Sequence, residues 1–491
     1  MPDLRRQVLE SGKTISRKAA SREGSRRTSR ANSAQNSRQS SRNASRQGSD
    51  DEDAGNLSDD TAASLGSFDD LDIDDAGSED ADLEEATIDW ASELPQIIED
   101  ILERKRTSGP GREEKYTAFN RILKAHYVEE TLRRQVSDLT AAFARSIKNE
   151  TTVHETTLAL RALELLTITA GDYTIFKKVE PLLTRTIRGS TSTAVKAGAI
   201  SCLTTCTMFG GASDDDIQDQ MTFLLDVAAS DGQSIEAQDN PTACITAALQ
   251  GWGLMATEID DLEGESEEAV QIFMDQLNGG DPSTQIAAGE NIALLYEKSY
   301  TLQENYNDKG MEDDSDHEDG SGSDSDNEFG SYPKLVKRYN AYHNTPELER
   351  QLQALATLHN KRISKRDKKS LHKNFASIRN TVSNPRRGPM YNTATDTTRS
   401  YGSRLTFKVG QQGAVHIDRW WKWIRVNAFR RTLQGGFPSH YFEGNNAILE
   451  SLPVVMVRMP RTNDRGWSPR RETKMRMNQR RAKMEAPDDS Y

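Results

Sequence analysis

The sequence predicts an all-α protein: an armadillo/HEAT-like α-solenoid with a small, mostly helical C-terminal domain and a disordered N-terminal head. Apolar residues recur at helical spacing from about residue 86 to about residue 303. Four of the resulting helices resemble one another and start near residues 153, 193, 241 and 283, which is the period of HEAT and armadillo repeats. The first 85 residues are too polar to offset the entropy of folding.

The head, residues 1–85, has two halves of opposite charge. Residues 1–49 hold 12 cations and 3 acids, whereas residues 50–85 hold 16 acids and no cation. Serines recur every fourth residue from Ser21 to Ser49, and most follow an arginine by three positions. This spacing suits kinases that prefer basic substrates, although it also fits simple arginine and serine bias. The predicted phosphorylation sites are Ser25, Ser29, Ser33, Ser41, Ser45 and Ser49.

The predicted repeat domain, residues 86–382, alternates helical periods with short polar turns. The predicted helices are 86–106, 112–127, 129–148, 152–169, 173–188, 191–208, 214–229, 241–259, 265–277 and 282–303. Asp214 and Pro282 are suitable helix-start residues. The four similar helices carry small residues early, which lets neighbouring helices stack closely. An irregular helical bundle is the alternative.

The second half of the chain alternates acidic and basic segments. Residues 311–328 carry nine acids and no cation, which predicts a disordered insert, residues 308–330, in a repeat loop. Helix is expected to resume at Tyr332–His343 and again from Pro346. We predict a polar linker over residues 383–404, a small domain over residues 405–460 that opens with the strand 405–409, and a basic tail over residues 461–491.

One stretch of the small domain, His416–Gly436, holds three of the six tryptophans. An amphipathic helix would place one apolar stripe on its surface: Ile417, Trp420, Trp421, Ile424 and Ala428. Trp423 falls off that stripe among cations, so it is predicted to contact a polyanion, while the other two tryptophans are predicted to pack.

Enzyme signatures are missing, and we predict a protein without catalytic residues, cofactor or metal. The chain has no phosphate-binding loop and no dinucleotide glycine pattern. Cys202 and Cys206 are four apart on a helix, but buried structural cysteines are more common than metal pairs. His416 and His440 are expected to be packing or turn residues. Three cysteines and no membrane-spanning run predict a reducing location, the cytoplasm, the nucleus or both.

Polyanion binding is the function that the charge pattern favours. Residues 361–485 hold 28 cations and 8 acids, a local balance of +20 within a chain of net charge −13. Salt screens surface charge beyond about 8–10 Å, so the local charge balance, rather than the net charge of the chain, determines whether this region attracts a polyanion. The predicted polyanion-binding residues are Lys361, Arg362, Lys365, Arg366, Lys368, Lys369, Lys373, Arg470, Arg471, Arg476, Arg480, Arg481 and Trp423.

Residues 416–453 contain a characteristic series of positions: Ile417, Asp418, Trp420, Phe429, Leu433, Gly435, His440, Asn445, Leu449, Leu452 and Pro453. At these positions the stretch resembles the C-terminal domain of the interferon-related developmental regulator family. The order of segments also agrees, from a Ser/Arg-rich head through an acidic stretch, a helical body, an acidic insert and a basic helix to a small C-terminal domain.

The resemblance implies an armadillo-like body and a non-enzymatic regulator. It also implies one of two activities: docking on the ribosome and its rRNA in translational control, or transcriptional co-regulation with co-repressor and deacetylase proteins. The +20 region favours the first and is also compatible with nuclear import. A pure protein scaffold with solvated basic faces is a third possibility. We expect no membrane partner and no small-molecule substrate.

Overall fold

The computed structural model of the chain describes residues 90–103, 108–237, 240–302, 335–357, 365–397, 400–403, 405–409 and 413–452. The predicted phosphorylation sites, the acidic insert 308–330 and the basic tail 461–491 lie outside these residues. Within them, no helix is long and apolar enough to cross a membrane.

The body of the protein is helical from Trp90 to Lys298. Its helices are α1 (Trp90–Leu102), α2 (Gly109–Ala125), α3 (Glu129–Leu132), α4 (Val136–Asn149), α5 (Val153–Ala170), α6 (Ile175–Gly189), α7 (Thr193–Phe209), α8 (Asp214–Ala229), α9 (Thr242–Ala256), α10 (Glu263–Leu277) and α11 (Pro282–Lys298). A short 3-10 helix, Gln233–Ile235, follows α8.

The remaining elements mix strands and helices. They are β1 (Tyr300–Leu302), β2 (Leu335–Lys337), α12 (Thr345–Ala356), α13 (Lys365–Ser383), β3 (Tyr391–Thr397), β4 (Ser400–Ser403), β5 (Leu405–Val409), β6 (Gly413–Ile417), α14 (Trp420–Leu433), α15 (Phe437–Phe442) and α16 (Asn446–Ser451). A 3-10 turn, Gln434–Gly436, joins α14 to α15.

The helices form a two-layer repeat, which confirms the predicted fold class. In the inner layer α2, α5, α7, α9, α11 and α13 pack on one another in chain order. The outer helices α4, α6, α8, α10 and α12 each pack on the inner helix that follows them. The first five inner helices begin at residues 109, 153, 193, 242 and 282, so the observed period matches the predicted one.

Side-chain caps determine where several of these helices begin. The Thr152 hydroxyl accepts a hydrogen bond from the Glu155 amide at the start of α5. Ser213 and Asp216 form a reciprocal capping box at the start of α8. Asp281 caps α11, whose first residue is Pro282. The starts predicted at Asp214 and Pro282 are therefore confirmed, each directly after its cap.

Small residues in the inner helices allow the close stacking that the sequence predicted. A Cβ placed on Gly251 of α9 would lie 2.4 Å from Thr204 Oγ1 of α7. A Cβ on Gly253 would lie 2.1 Å from Asn291 Oδ1 of α11, and the amide of that asparagine donates to the Leu249 carbonyl at 2.8 Å. Glycine is thus required where neighbouring helices approach.

Three predictions about elements were wrong. The helix predicted over residues 129–148 is broken into α3 and α4, and the one predicted over residues 282–303 ends at Lys298. The helix predicted at Tyr332–His343 contains β2, which pairs antiparallel with β1 across the acidic insert. Local periodicity could not predict this pairing because its two strands are 32 residues apart.

The predicted linker over residues 383–404 also contains regular structure. β3 pairs antiparallel with β4, and β5, the strand predicted at 405–409, pairs antiparallel with β6. The tryptophan-rich helix therefore begins at Trp420 rather than His416, because His416 and Ile417 belong to β6 and pair with Thr406 and Leu405.

Helix α14 packs against the inner layer of the solenoid. It contacts α2, α5, α9 and α11. The Phe429 ring lies 5.5 Å from that of Phe209 at the end of α7, and 5.9 Å from that of Phe437. The C-terminal segment consequently shares its hydrophobic core with the repeats.

Helix α15 and the turn before it are joined to α2 by close contact. A Cβ on Gly436 would lie 1.7 Å from the Lys124 carbonyl oxygen, so the two backbones touch. The buried His440 places Nε2 2.8 Å from the Leu123 carbonyl oxygen, and its Nδ1 lies 3.1 Å from Asn445 Nδ2. A neutral imidazole with its proton on Nε2 satisfies both contacts. Burial lowers the pKa of His440 to about 4, which favours this neutral form.

Substituting Gly436→Ala should destabilise the protein by about 2–3 kcal/mol, because the new methyl group overlaps a backbone oxygen that cannot rotate away. Urea unfolding followed by circular dichroism measures the change. The matched control is Gly264→Ala in the first turn of α10, where a Cβ meets nothing within 4 Å. That variant should be neutral or slightly more stable. Equal stability of the two variants would contradict close docking of the C-terminal segment on α2.

Candidate polyanion-binding surface

The predicted polyanion-binding cations fall into two groups. Most lie outside the described residues: Lys361, Arg362, Arg470, Arg471, Arg476, Arg480 and Arg481. The others belong to the first half of α13, where Lys365 and Arg366 occupy the first turn and Lys368, Lys369 and Lys373 follow. The structure therefore brings together the predicted cations of residues 365–373 on one helix.

Helix α13 separates apolar and basic residues onto different faces. Its buried stripe packs on α11 and α12 and consists of Leu371, Phe375, Ile378 and Val382. At about 100° per residue, Lys369 and Lys373 lie roughly opposite Leu371, and Lys368 lies at the edge of the stripe. Lys369 is exposed, and the other two lysines are half-buried.

A shallow, open depression lies along one side of α13. Its lining consists of Lys368, Lys369, His372 and Lys373. We call these four residues the α13 basic face. They span less than two helical turns, so the ammonium groups of the three lysines can approach successive phosphates of one polyanion strand.

The prediction that Trp423 contacts a polyanion was wrong. This side chain is completely buried, and its Nε1 donates to Glu290 Oε1 of α11 at 2.7 Å. The apolar-stripe argument failed because α14 is buried around most of its circumference, with Trp420, Trp423, Val426 and Phe429 all inside.

The cations of α14 take part in contacts within the protein. Lys422 forms an ion pair with Asp418 at 2.6 Å. Arg425 donates to Thr257 Oγ1 at 2.8 Å and to Glu258 Oε1 at 2.7 Å, and it also reaches the Ser451 carbonyl. Both cations lie near the half-buried Trp421 ring, at 5.5 and 5.1 Å from its centroid. These contacts join the C-terminal segment to the end of α9.

Charged side chains of the solenoid meet both ends of α14. At the N-terminus, Glu297 of α11 accepts hydrogen bonds from the Trp420 and Trp421 amides at 2.8 and 3.4 Å. At the C-terminus, Arg161 of α5 donates to the Arg431 and Thr432 carbonyls at 2.6 and 2.5 Å. A negative group at the N-terminus and a positive group at the C-terminus both match the helix dipole.

A polar cluster lies beside the second of these contacts. Arg161 also pairs with the buried Glu164 at 2.9 Å. Loss of solvation raises the pKa of Glu164, and it raises that of Glu290 to about 7. Loss of solvation likewise lowers the pKa of Arg431 to about 10, although the two glutamates oppose that shift. The cluster therefore carries charges that are costly to bury and are compensated within the interface.

Sequence reasoning missed Glu290, Glu297 and Arg161 as docking residues. The two glutamates are seven apart in α11, on one face of a helix otherwise rich in Ala, Ile and Leu. Two acids on a buried face are an unusual pattern that could have indicated polar docking there. Their partner helix is more than 120 residues away in sequence, which no local pattern reveals.

The two cysteines of α7 are buried side chains of the core. Cys202 and Cys206 are completely buried, and burial raises the pKa of the Cys202 thiol. Cys206 Sγ lies 3.5 Å from the Thr167 hydroxyl. Among the described residues, no cluster of three or more His, Cys, Asp or Glu side chains could hold a metal ion.

Comparison with known proteins gives a family and a relative. Residues 56–383 match the sequence profile of the family described as Interferon-related developmental regulator. The chain is also 25% identical over 390 residues to an uncharacterised protein of Schizosaccharomyces pombe, and the alignment covers 78% of each chain. The profile ends at Ser383, the last residue of α13, so it covers the helical body. The resemblance noted at residues 416–453 rests on a different part of the chain.

Substituting Glu290→Gln should remove a pH dependence of stability. The pKa of Glu290 rises from 4.5 to about 7 on folding, so the folded protein binds this proton more tightly than the unfolded chain does. Stability from this group is therefore lost as pH rises from about 4.5 to about 7. Over that range the free energy of unfolding of the glutamine variant should rise by about 2–3 kcal/mol relative to that of wild type, because glutamine has no proton to lose. The amide oxygen of the glutamine still accepts the hydrogen bond from Trp423. Urea unfolding at pH 5 and pH 8 measures the difference.

The comparison of Glu290→Gln with wild type needs a control for the general effect of removing one negative charge. Glu268→Gln provides it, because Glu268 is exposed on α10. A Glu290→Gln variant whose stability follows the wild-type pH profile would show that Glu290 is ionised in the folded protein throughout.

Proposed function

Since the chain belongs to the interferon-related developmental regulator family, we propose that it is a non-enzymatic regulatory protein that binds an RNA-rich complex, the ribosome, in translational control. The helical repeats supply contacts to proteins, and the basic C-terminal region supplies contacts to phosphates. The observation that carries this proposal is the α13 basic face, in which Lys369 and Lys373 lie roughly opposite the buried stripe of the same helix and Lys368 lies at its edge.

Charge separation along the sequence supports a polyanion as the ligand. The net charge of the whole chain is −13, yet residues 361–485 have a balance of +20. Phosphate contacts from lysine and arginine supply most of the non-specific affinity for nucleic acids. If the basic region contacts roughly eight phosphates, the logarithm of the binding constant should fall against that of the salt concentration with a slope of about −6 to −7.

The packing of the tryptophans favours phosphate contacts over base stacking as the mode of RNA binding. Trp420 and Trp423 lie in the core, and Trp421 is half-buried against Lys422 and Arg425. Base stacking on this helix therefore has no part in the proposal. Contacts to the phosphate backbone bind many sequences alike and fit an rRNA surface recognised by its shape and charge.

A nuclear co-regulator is the second candidate. The run of basic residues from Lys361 to Lys369 is also typical of a nuclear-import signal, which a partner of co-repressor and deacetylase proteins would need. Purification of the full chain from cells, with and without nuclease, separates the candidates. Ribosomal proteins and rRNA support the first function, and nuclease-resistant deacetylase subunits support the second.

Reversing the α13 basic face should abolish ribosome binding. The variant Lys368→Glu/Lys369→Glu/Lys373→Glu replaces three attractions to phosphates by repulsions without altering the buried stripe. We expect its co-sedimentation with ribosomes at about 50 mM salt to fall at least tenfold, with a shallower salt slope. A second variant, with Arg470, Arg471, Arg476, Arg480 and Arg481 changed to Glu, tests the tail in the same assay.

The matched control carries the same change of charge elsewhere on the solenoid. Lys148, Lys177 and Lys178 are exposed on α4 and α6, and their reversal to Glu should leave co-sedimentation close to wild type. Undiminished binding by both the α13 and the tail variants, or an equal loss in the control, would refute the proposal.

A further inference from the structure

The proposed function leaves the acidic insert unexplained, although the structure shows where it is attached. Residues 303–334 lie between β1 and β2, which pair antiparallel with Leu302 opposite Leu335. Both ends of the insert therefore leave the solenoid at one point, directly after α11. The nine acids of residues 311–328 occupy its middle, and no cation accompanies them.

The packing of α11 against α13 brings the attachment point near the α13 basic face. Gly289 of α11 lies against Phe375 and Ile378 of α13. Further along, Glu297 binds the Trp420 amide, and the indole of Trp420 donates to Thr381. The two helices thus run in the same direction, and Lys373 lies level with the part of α11 just before Gly289, on the side of α13 away from the buried stripe.

The insert is long enough to cover this separation. About 14 residues separate β1 from the part of α11 that lies level with Lys373, which is about 20 Å along a helix. A 32-residue segment held at both ends extends at most about 50 Å from its attachment point. Its acidic middle can therefore reach the basic face without any change in the solenoid.

We infer that the α13 basic face is an interaction surface for the protein's own acidic insert, which occupies it in competition with RNA. This inference rests on the proposed function for the identity of the competing ligand. Carboxylates and phosphates are both acceptors for lysine. Attachment beside the surface gives the insert a local concentration on the order of millimolar, so a weak contact is sufficient to compete.

The other acidic stretch is less well placed to do this. Residues 50–85 precede α1, which packs on α2 at the opposite end of the row of inner helices. Five steps between inner helices separate α2 from α13, about 45 Å at 8–10 Å each. The stretch carries 16 acids, so it provides a control of equal chemistry attached at a different place.

The insert also contains serines whose modification would strengthen the contact. Ser315, Ser323 and Ser325 each precede an acid. A phosphate on each would add about −1.5 to −2 to the insert and oppose RNA binding further.

Crosslinking tests the contact without any RNA. The full chain, treated with a carbodiimide that joins carboxylates to amines at zero length, is digested and examined by mass spectrometry. We expect peptides that join residues 311–328 to Lys368, Lys369 or Lys373. Addition of an excess of a 20-nucleotide oligouridylate should reduce their yield, whereas crosslinks only to other lysines would overturn the inference.

RNA affinity gives the second test, by fluorescence anisotropy of the same oligouridylate with a label. Changing the nine acids of the insert to Asn or Gln should tighten binding at least fivefold at about 50 mM salt, and less at about 300 mM. Neutralising nine acids within residues 50–85 should change it by less than twofold. Equal gains in the two variants would show a general charge effect and overturn the inference.

The α13 reversal variant separates failure of the inference from failure of the proposed function. If that variant binds oligouridylate as well as wild type, the proposed RNA surface is wrong, while crosslinks to the insert would still establish the internal contact. If the reversal variant binds RNA weakly and neutralising its insert restores no affinity, the insert acts through α13. If neutralising the insert tightens RNA binding by the reversal variant as much as it does in wild type, the insert acts at another surface.

Discussion

The docking of α14 on the inner helices is the interaction on which the rest of the structure depends. Its two ends are held by Glu297 and Arg161, whose charges oppose the partial charges of the helix termini. The middle buries Trp423 and Phe429 among helices of several repeats. The inner helices are thus covered here by another part of the protein's own chain.

This docking determines the partners of the cations on α14. Lys422 and Arg425 are engaged with Asp418 and Glu258, so they stabilise the interface. The basic residues of α13 lie away from the buried stripe of that helix, which packs on α11 and α12. The cations of α14 and those of α13 therefore lie in different surroundings, which local charge counting could not distinguish.

Helical periodicity predicted the repeat body closely because its helices pack against neighbours in chain order. The predictions failed where distant segments meet. β2 exists because it pairs with β1 across the insert, and β6 interrupts the predicted tryptophan helix because it pairs with β5. Trp423 was assigned to the surface because a single apolar stripe describes a helix with one buried face, whereas α14 has several.

The amino-acid sequence by itself determined the helical-repeat class, the repeat period, the helix starts at Asp214 and Pro282, and the opposite charges of the insert and the basic region. These follow from local spacing, local hydrogen bonds and composition. Only the tertiary structure decided where α14 lies, which tryptophan is buried, and that Glu290, Glu297 and Arg161 hold it. Such contacts join residues more than a hundred positions apart, and their energy depends on shared burial that exists only once the repeats have stacked.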